Sequence, residues 1–550
     1  MGTFRDGYLD HAQLTSTLEA WAAKHAAFCR LLSIGKTAED RDLWVLVVGK
    51  EPDRVRPALW VDGNMHAMEL TGSSVALAFA EELLAFHASG ALPSGVPSST
   101  RDALEDSLVY VMPRMSPDGA EAVLKTGRFV RSSPVDDRLD RMAPRWKLQD
   151  LDADGLVLSM RVQDPAGDFV VSKNVPGLMV MRAIEDEGPF FKVYPEALVE
   201  NWDGHTVPAW TLFDDARTDL NRNFPWGWAP EGEQEGAGAY ATSTPEARAV
   251  VDFTTKAPHL MAWLNLHTYG GVYIRPLGHQ ADNKMNREDL EVFRQIGAWV
   301  TEHTGYATVS GYEEFLYQPD KPLRGDVSDY AYHQLGCVAF SVELWDLMTQ
   351  AGLERKKPFI DTYQQQGRKE VEQVAAWDVE HNRGRTLHPW TKVKHPQLGD
   401  VEVGGLDPRF GVWNPPAEML DETCRKNTAV FHRMLAMLPR VKVTAKREGN
   451  RVEVIVRNEG YLATCGLASA KKLALAEPLS VELKTAVDEP RRSVGHLDGW
   501  GRGLWGGSTT WPYQTSTAPM TSKKHVFIVK EGPARVTVGS CRVGFQALDV

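Results

Sequence analysis

The spacing of apolar and polar positions divides the chain into alternating helical and strand segments. Leu14, Leu18, Trp21, His25 and Phe28 recur at helical spacing over residues 10–30, and Leu43-Trp44-Val45-Leu46-Val47-Val48 is an unbroken apolar run of strand length. Residues 58–61 read as a second buried strand, closed by the turn residues Asp62-Gly63-Asn64. A helix over 73–86 follows, ended by Ala88-Ser89-Gly90. After it come a loop rich in Pro, Ser and Gly over 91–100, a short helix, and the strand Leu108-Val109-Tyr110-Val111-Met112. Strand, helix and strand in this order predict an α/β fold with a mixed, largely parallel central sheet flanked by helices. Such sheets offer ligand sites beyond the carboxyl ends of their strands.

From about 134 to 214 the periodicity breaks down, and the stretch reads as an insertion. Within it Asp150-Leu151-Asp152-Ala153-Asp154-Gly155 imitates the first half of a calcium loop. The twelfth position is Arg161, where a bidentate Glu is required, so an EF-hand is refuted and a turn with exposed carboxylates is expected instead of a calcium site. The α/β pattern resumes at Ser243-Thr244-Pro245-Glu246, a helix start with proline in its first turn. The strand Leu260-Met261-Ala262-Trp263-Leu264-Asn265-Leu266, a helix over 287–303 and a strand over 336–344 complete the core. A mixed segment over 355–440 ends in a helix at 421–438. From Val441 the period becomes two: residues 441–445 and 451–456 flank Glu448-Gly449-Asn450 as a hairpin, and strand signals continue to Val536-Thr537-Val538. Two domains are expected, 1–440 and an all-β, sandwich-like accessory domain over 441–550, a usual size for a sandwich at about 110 residues.

Composition narrows the function classes. A formal net charge of -12 and the lack of any basic block argue against nucleic acid or an anionic membrane as the main partner. No apolar stretch reaches the length of a membrane span. The five cysteines (Cys29, Cys337, Cys424, Cys465, Cys541) have no Cys-x-x-Cys spacing and are expected as isolated buried thiols. The N-terminus lacks the charged and apolar regions of a signal peptide, so the chain as given is expected to be cytoplasmic, with a secreted mature form left open.

Candidate chemistry begins at the seam after the second strand. His66 and Glu69 stand three residues apart, close enough for imidazole and carboxylate to reach one point. Alone, the pair fits a capped helix start with a solvated histidine equally well. His267, just after the strand ending Asn265-Leu266, would complete a two-His, one-Glu zinc set with an open fourth position. Asp219-Leu220-Asn221-Arg222-Asn223 joins amides to a guanidinium suited to gripping a carboxylate. Glu343 ends an otherwise apolar strand, where an unpaired carboxylate is costly unless it serves as a general base.

In this order the motifs resemble those of the M14 zinc carboxypeptidases: His-x-x-Glu, Asn-Arg, His-[Ser/Thr]-Tyr and a late-strand Glu. The resemblance covers about residues 40–350; Met115-Ser116-Pro117-Asp118-Gly119 resembles the family's Asn-Pro-Asp-Gly, and Asp329-Tyr330-Ala331-Tyr332 its Asp-Trp-x-Tyr. It implies a zinc carboxypeptidase-like catalytic domain and one zinc ion per chain, held by His66, Glu69 and His267. Asn221 and Arg222 match the pair that holds a terminal carboxylate, Arg131 the oxyanion-stabilising arginine (with Arg128 as a rival), and Glu343 the general base. Tyr269, in the third-ligand motif, and Tyr317, in the place of the family's mobile tyrosine, are further substrate-binding candidates; a plain surface tyrosine fits Tyr317 as well. Met68 stands where the family often has arginine, which removes one subsite cation. The implied partners are peptide or protein C-termini, and the implied reaction is hydrolysis of the C-terminal peptide bond. Alternatives are hydrolysis of a non-standard amide (an N-acyl amino acid or cell-wall peptide) and a non-catalytic binding protein on the same fold. The loop Arg324-Gly325-Asp326-Val327-Ser328-Asp329 is expected to floor the pocket for the terminal residue, with Asp326 facing water. Trp500, Trp505 and Trp511 are expected to pack or form an interface more than a sugar-binding surface. No feature indicates an oligomeric state.

Overall fold

The computed structural model describes residues 3–136, 142–211, 218–487, 489–501 and 520–550. At its centre lies an eight-stranded sheet of β1 (Cys29–Lys36), β2 (Asp42–Val48), β3 (Ala58–Gly63), β4 (Leu108–Met112), β5 (Leu260–Thr268), β6 (Val272–Arg275), β7 (Ala307–Ser310) and β8 (Val338–Leu344), in the order β1-β2-β4-β3-β5-β8-β6-β7. The inner strands β4, β3, β5 and β8 pair in parallel. The β1-β2-β4 edge and the β8-β6 pair are antiparallel. Every residue of β3, β4 and β5 is buried, which is why these strands read as continuous apolar runs rather than alternating ones.

Helices cover both faces. On one side α2 (Thr71–Ser89), α5 (Arg287–Thr304) and α7 (Ala417–Ala436) pack Phe79, Phe293 and Phe431 against Leu59, Val61, Leu264 and Phe340. On the other, α4 (Pro245–Thr254) and α6 (Val327–Leu335) bring Val250, Tyr330 and Ala331 against Trp60, Trp263 and Ala339. Alternate residues of one strand thus feed opposite layers, as the period of two requires. Two shorter helices, α1 (His11–Lys24) and α3 (Pro117–Thr126), flank the β1 edge and the loop bearing Arg131. The helix expected over 10–30 is therefore shorter. Asp10 caps it and it ends at Lys24, because the chain turns after His25 into β1, an edge strand whose mixed burial gave no apolar run. The helix expected over 421–438 begins four residues earlier.

The described residues of the 134–214 stretch are not irregular. Its strands Ser159–Gln163, Phe169–Val171, Met179–Met181 and Phe191–Pro195 join Leu387–His395 and Gly399–Leu406 in a second, six-stranded sheet. Strands of three to five residues leave little local period to read, and one of them, Ser159–Gln163, pairs with a strand some two hundred positions away. The Asp150 turn is closed by its own carboxylates, Asp150 accepting from the N–H groups of Ala153 and Gly155.

Residues 441–550 form two antiparallel sheets, one of Val441–Glu448, Arg451–Asn458 and Ser522–Ile528, the other of Arg491–Gly495, Leu479–Leu483, Arg535–Ser540 and Gly544–Asp549. Their inner residues share one apolar cluster with the eight-stranded sheet and its helices. Arg542, fully buried, donates to the carbonyls of Cys465, Pro258, Leu260, Leu335 and Gly336, tying these sheets to the base of β5 and β8. Trp500 is 58% exposed and meets Tyr461 edge-on; Trp505 and Trp511 lie outside the described residues. All five cysteines are free, four of them buried and Cys541 partly so. Among the described residues no helix is long and apolar enough to cross a membrane.

Candidate active site

The site lies at the carboxyl ends of β3, β5 and β8. After β3 the chain turns through Asn64, at φ 55°, into a short non-helical turn carrying His66 and Glu69, closed by the Glu69 N–H to His66 C=O bond of 3.0 Å. Asn414, just ahead of α7 in the chain, clamps this turn: its Nδ2 donates to Met68 C=O at 2.8 Å, and its Oδ1 accepts the Thr71 N–H at 2.9 Å. The second bond caps the N-terminus of α2, which has no cap of its own.

His66 Nδ1 lies 2.8 Å from Glu69 Oε1, His267 Nδ1 lies 2.9 Å from Glu69 Oε2, and the two Nδ1 atoms are 3.1 Å apart. These three buried groups, expected as metal ligands, therefore converge. Each imidazole is held from behind. Asp219 Oδ1 faces His66 Nε2 at 3.1 Å, and Asn265 Oδ1 faces His267 Nε2. Asn265 is oriented in turn because its Nδ2 donates to Asp62, whose other oxygen accepts the Trp60 and Trp263 indoles at 2.8 and 2.7 Å. With acceptors on both Nε2 sides, the ring protons belong on Nε2 and the Nδ1 lone pairs turn towards Glu69. Two imidazole lone pairs, a carboxylate and fixed outer partners fit a zinc ion in donor chemistry. Burial pushes the Glu69 carboxyl up, but the adjoining His66 and His267 imidazoles outweigh it and hold it down to about 2.

Asp219 carries a second partner, accepting from Arg131 Nε and Nη2 at 3.0 and 2.8 Å. Burial opposes its ionisation, but Arg131, His66 and Arg222 hold it well below the usual range. Arg131, rather than Arg128, thus joins the network. Next to Asp219, the short turn Leu220–Arg222 is buried; Asn221 Oδ1 accepts the Val327 N–H at 3.0 Å, and Arg222 Nη1 donates to Asn221 C=O at 2.6 Å. Arg222 has no carboxylate partner among the described residues. Gly325, at φ 70°, lets the next loop approach: a Cβ there would lie 2.4 Å from Arg222 C=O.

Glu343 faces His267 across the β5–β8 register. Its Oε2 is enclosed with no hydrogen-bond partner among the described residues. Burial, then the charge of Glu69, push its carboxyl well above the usual range, with Arg131 opposing. Tyr269 packs edge-on against Tyr363 and Trp413 at 5.7 and 5.6 Å, and burial, then Glu343, push its hydroxyl up to about 12. Tyr317 is 48% exposed and packs edge-on against Phe315; burial raises its hydroxyl, with Arg131 opposing and Glu343 adding to the rise. Asp326 does not face water: it is buried and caps α6, accepting from the Asp329 N–H and Ser328 Oγ.

Three residues that position the site were not singled out from sequence: Asp219, Asn265 and Asp62. Asn265 stands two residues before His267, hence on the same face of β5, and Asp219 opens the Asn-Arg motif; either spacing carried a signal.

The zinc carboxypeptidase family model matches residues 14–153 and 211–368, and that of a domain of unknown function (DUF8731) matches 437–550. Among curated proteins, carboxypeptidase B2 of Rattus norvegicus is 22% identical over 357 residues, 62% of this chain and 64% of the relative. Carboxypeptidase M of Mus musculus is 34% identical over 111 residues, 20% of this chain and 24% of the relative. The matches thus span less than two thirds of these relatives. Among solved structures, bovine thrombin-activatable fibrinolysis inhibitor in complex with tick carboxypeptidase inhibitor aligns at TM-score 0.44 and 15% identity, covering 79% of this chain and 98% of that one. Carboxypeptidase A from Helicoverpa armigera aligns at 0.39 and 14%, covering 62% and 66%. With a family model spanning more than half its length, the chain belongs to the zinc carboxypeptidases of family M14.

Proposed function

We propose that this protein is a zinc metallocarboxypeptidase that removes C-terminal residues from peptides or proteins. The observation that carries the reading is the meeting of two imidazole Nδ1 atoms and both Glu69 oxygens beside Glu343, whose enclosed Oε2 lacks a hydrogen-bond partner among the described residues. His66, Glu69 and His267 would hold the ion. A zinc ion so held supplies a Lewis acid that polarises a carbonyl and makes water nucleophilic near neutral pH.

The chain's own groups do the rest. Glu343 takes the proton of the attacking water and returns it to the leaving amine. Its burial near Glu69 makes it a strong base once ionised, and a divalent charge at the neighbouring donors favours that ionised form. Arg131, anchored on Asp219, offers its guanidinium to the oxyanion. Arg222 and Asn221 pair with the terminal carboxylate, a group an internal peptide bond lacks, which favours exopeptidase over endopeptidase action. Tyr317 closes over bound substrate. Trp210, at the end of the inserted stretch, meets Phe129 at 5.8 Å, two residues from Arg131, consistent with an insertion that rims the cleft.

Release of C-terminal amino acids from a peptide mixture, with and without a chelator, tests the reading. Chelator-sensitive, sequential release is expected from free C-termini and not from amidated ones. Cleavage of N-acyl amino acids with no peptide trimming would move the assignment to the amidohydrolase alternative, and no turnover by zinc-loaded protein would favour the binding-protein one.

A further inference from the structure

A second group of metal-type donors lies apart from His66, Glu69 and His267. Asp329 and His333 stand four residues apart on α6, so their side chains share a face, and His279 reaches them from the loop after β6. One donor atom from each of the three falls within 4.8 Å of the others. His279 Nδ1 is 2.8 Å from Asp329 Oδ2, and the His279 and His333 ring centroids are 5.5 Å apart. Trp226 stacks on His333 at 4.2 Å and sets the plane of its ring.

Two features go beyond an ordinary His–Asp pair. His333 Nε2 and Asp326 Oδ2 are both enclosed with no hydrogen-bond partner among the described residues. A buried polar atom left unsatisfied is costly unless something satisfies it. Gly278 also keeps the spot open: a Cβ there would lie 3.3 Å from Asp326 Oδ2 and 3.7 Å from Asp329 Oδ2.

We propose that His279, Asp329 and His333 form a second divalent-cation site of the zinc class, with the Asp326 carboxylate beside it. Two imidazoles and one carboxylate select late first-row metals over magnesium or calcium, which prefer all-oxygen shells. A tetrahedral zinc shell has ligand–ligand edges of about 3.3 Å. Small side-chain rotations close the present spread to that value, and solvent completes the shell. The site has a structural consequence. It pins the first and last turns of α6 to the loop after β6, and α6 begins at Val327, whose N–H is held by Asn221.

Metal stoichiometry of the full chain tests this. Chelator-stripped protein is titrated with zinc alone, and bound metal is counted after gel filtration. About two zinc ions per chain are expected for the unaltered protein, and one fewer for the His279→Ala/His333→Ala double variant. In a His66→Ala/His267→Ala variant one ion remains, and zinc still raises the melting temperature; adding His279→Ala and His333→Ala abolishes that rise. An unchanged zinc count in the His279→Ala/His333→Ala variant overturns the proposal, as does a His66→Ala/His267→Ala variant that folds but takes up no zinc. The second arm reads metal uptake without turnover, so its outcome is independent of whether the chain is a peptidase.

Discussion

Asp219 is the point where the candidate metal centre and the oxyanion arginine meet, and Asp219→Asn tests both at once. One carboxylate oxygen faces His66 Nε2 at 3.1 Å and also accepts the Asn221 N–H at 2.7 Å; the other takes Arg131 Nε and Nη2 at 3.0 and 2.8 Å. An asparagine has one acceptor oxygen, so it either keeps His66 oriented and turns an NH2 against Arg131, or the reverse. Loss of the partner behind a ligating histidine typically costs 10–100-fold in metal affinity, about 1.4–2.7 kcal/mol. Loss of the counter-charge leaves the mostly buried Arg131 unpaired, a change of about 3–5 kcal/mol in fold stability. Zinc affinity is read by competition with a chromogenic chelator in the His279→Ala/His333→Ala background, so that one class of site reports, and stability is read by calorimetry of the metal-free protein. The expected result is weaker zinc binding by at least about tenfold together with a lower melting temperature. Affinity within about twofold of the parent and an unchanged melting temperature would refute the reasoning, because neither bond could then be orienting anything.

Three further outcomes follow from the same geometry. Arg222→Ala should raise KM for free-C-terminus peptides by roughly 10–150-fold, the loss of about 1.5–3 kcal/mol from a charged hydrogen bond, with little effect on blocked substrates. Glu343→Gln should retain its zinc, measured by elemental analysis, while kcat falls by about 10²–10⁴-fold, the usual contribution of a general base. Glu246 is fully buried, has no hydrogen-bond partner for either side-chain oxygen among the described residues, and is raised by burial to about 7. Its folded state binds more protons than the unfolded chain between about pH 4.5 and 7, so stability falls as pH rises through that window. Glu246→Gln should therefore raise the melting temperature at pH 8, by up to about 3 kcal/mol in stability, and change it little at pH 4.5. An equal shift at both pH values would contradict this.

The parts of the molecule that were legible in sequence are those whose physical signal is local. β3, β4 and β5 are buried on every residue and so appear as apolar runs, and Thr244-Pro245 starts α4 as its capping chemistry demands. The groups at the site were legible for a different reason: Glu343 because an unpaired carboxylate ending an apolar strand is costly unless used, and His66, Glu69 and His267 because their motifs stand in the order that resembles the M14 family. What escaped depends on distant partners. β1 is an edge strand of mixed burial, and the six-stranded sheet joins residues 159–195 to 387–406. Asn265 and Asp62 gain meaning only when the β3–β5 register sets them side by side, and Asp326 looked solvated until the folding of α6 buried it as a cap.

The central claim is that one divalent ion is gripped by two imidazoles and a carboxylate drawn from β3 and β5. An anomalous difference map from crystals of the zinc-loaded protein, collected at the zinc edge, tests it most directly. A peak is expected within bonding distance, about 2.0–2.2 Å, of His66 Nδ1, His267 Nδ1 and a Glu69 oxygen. A fully zinc-saturated crystal with no peak among these three side chains would contradict it.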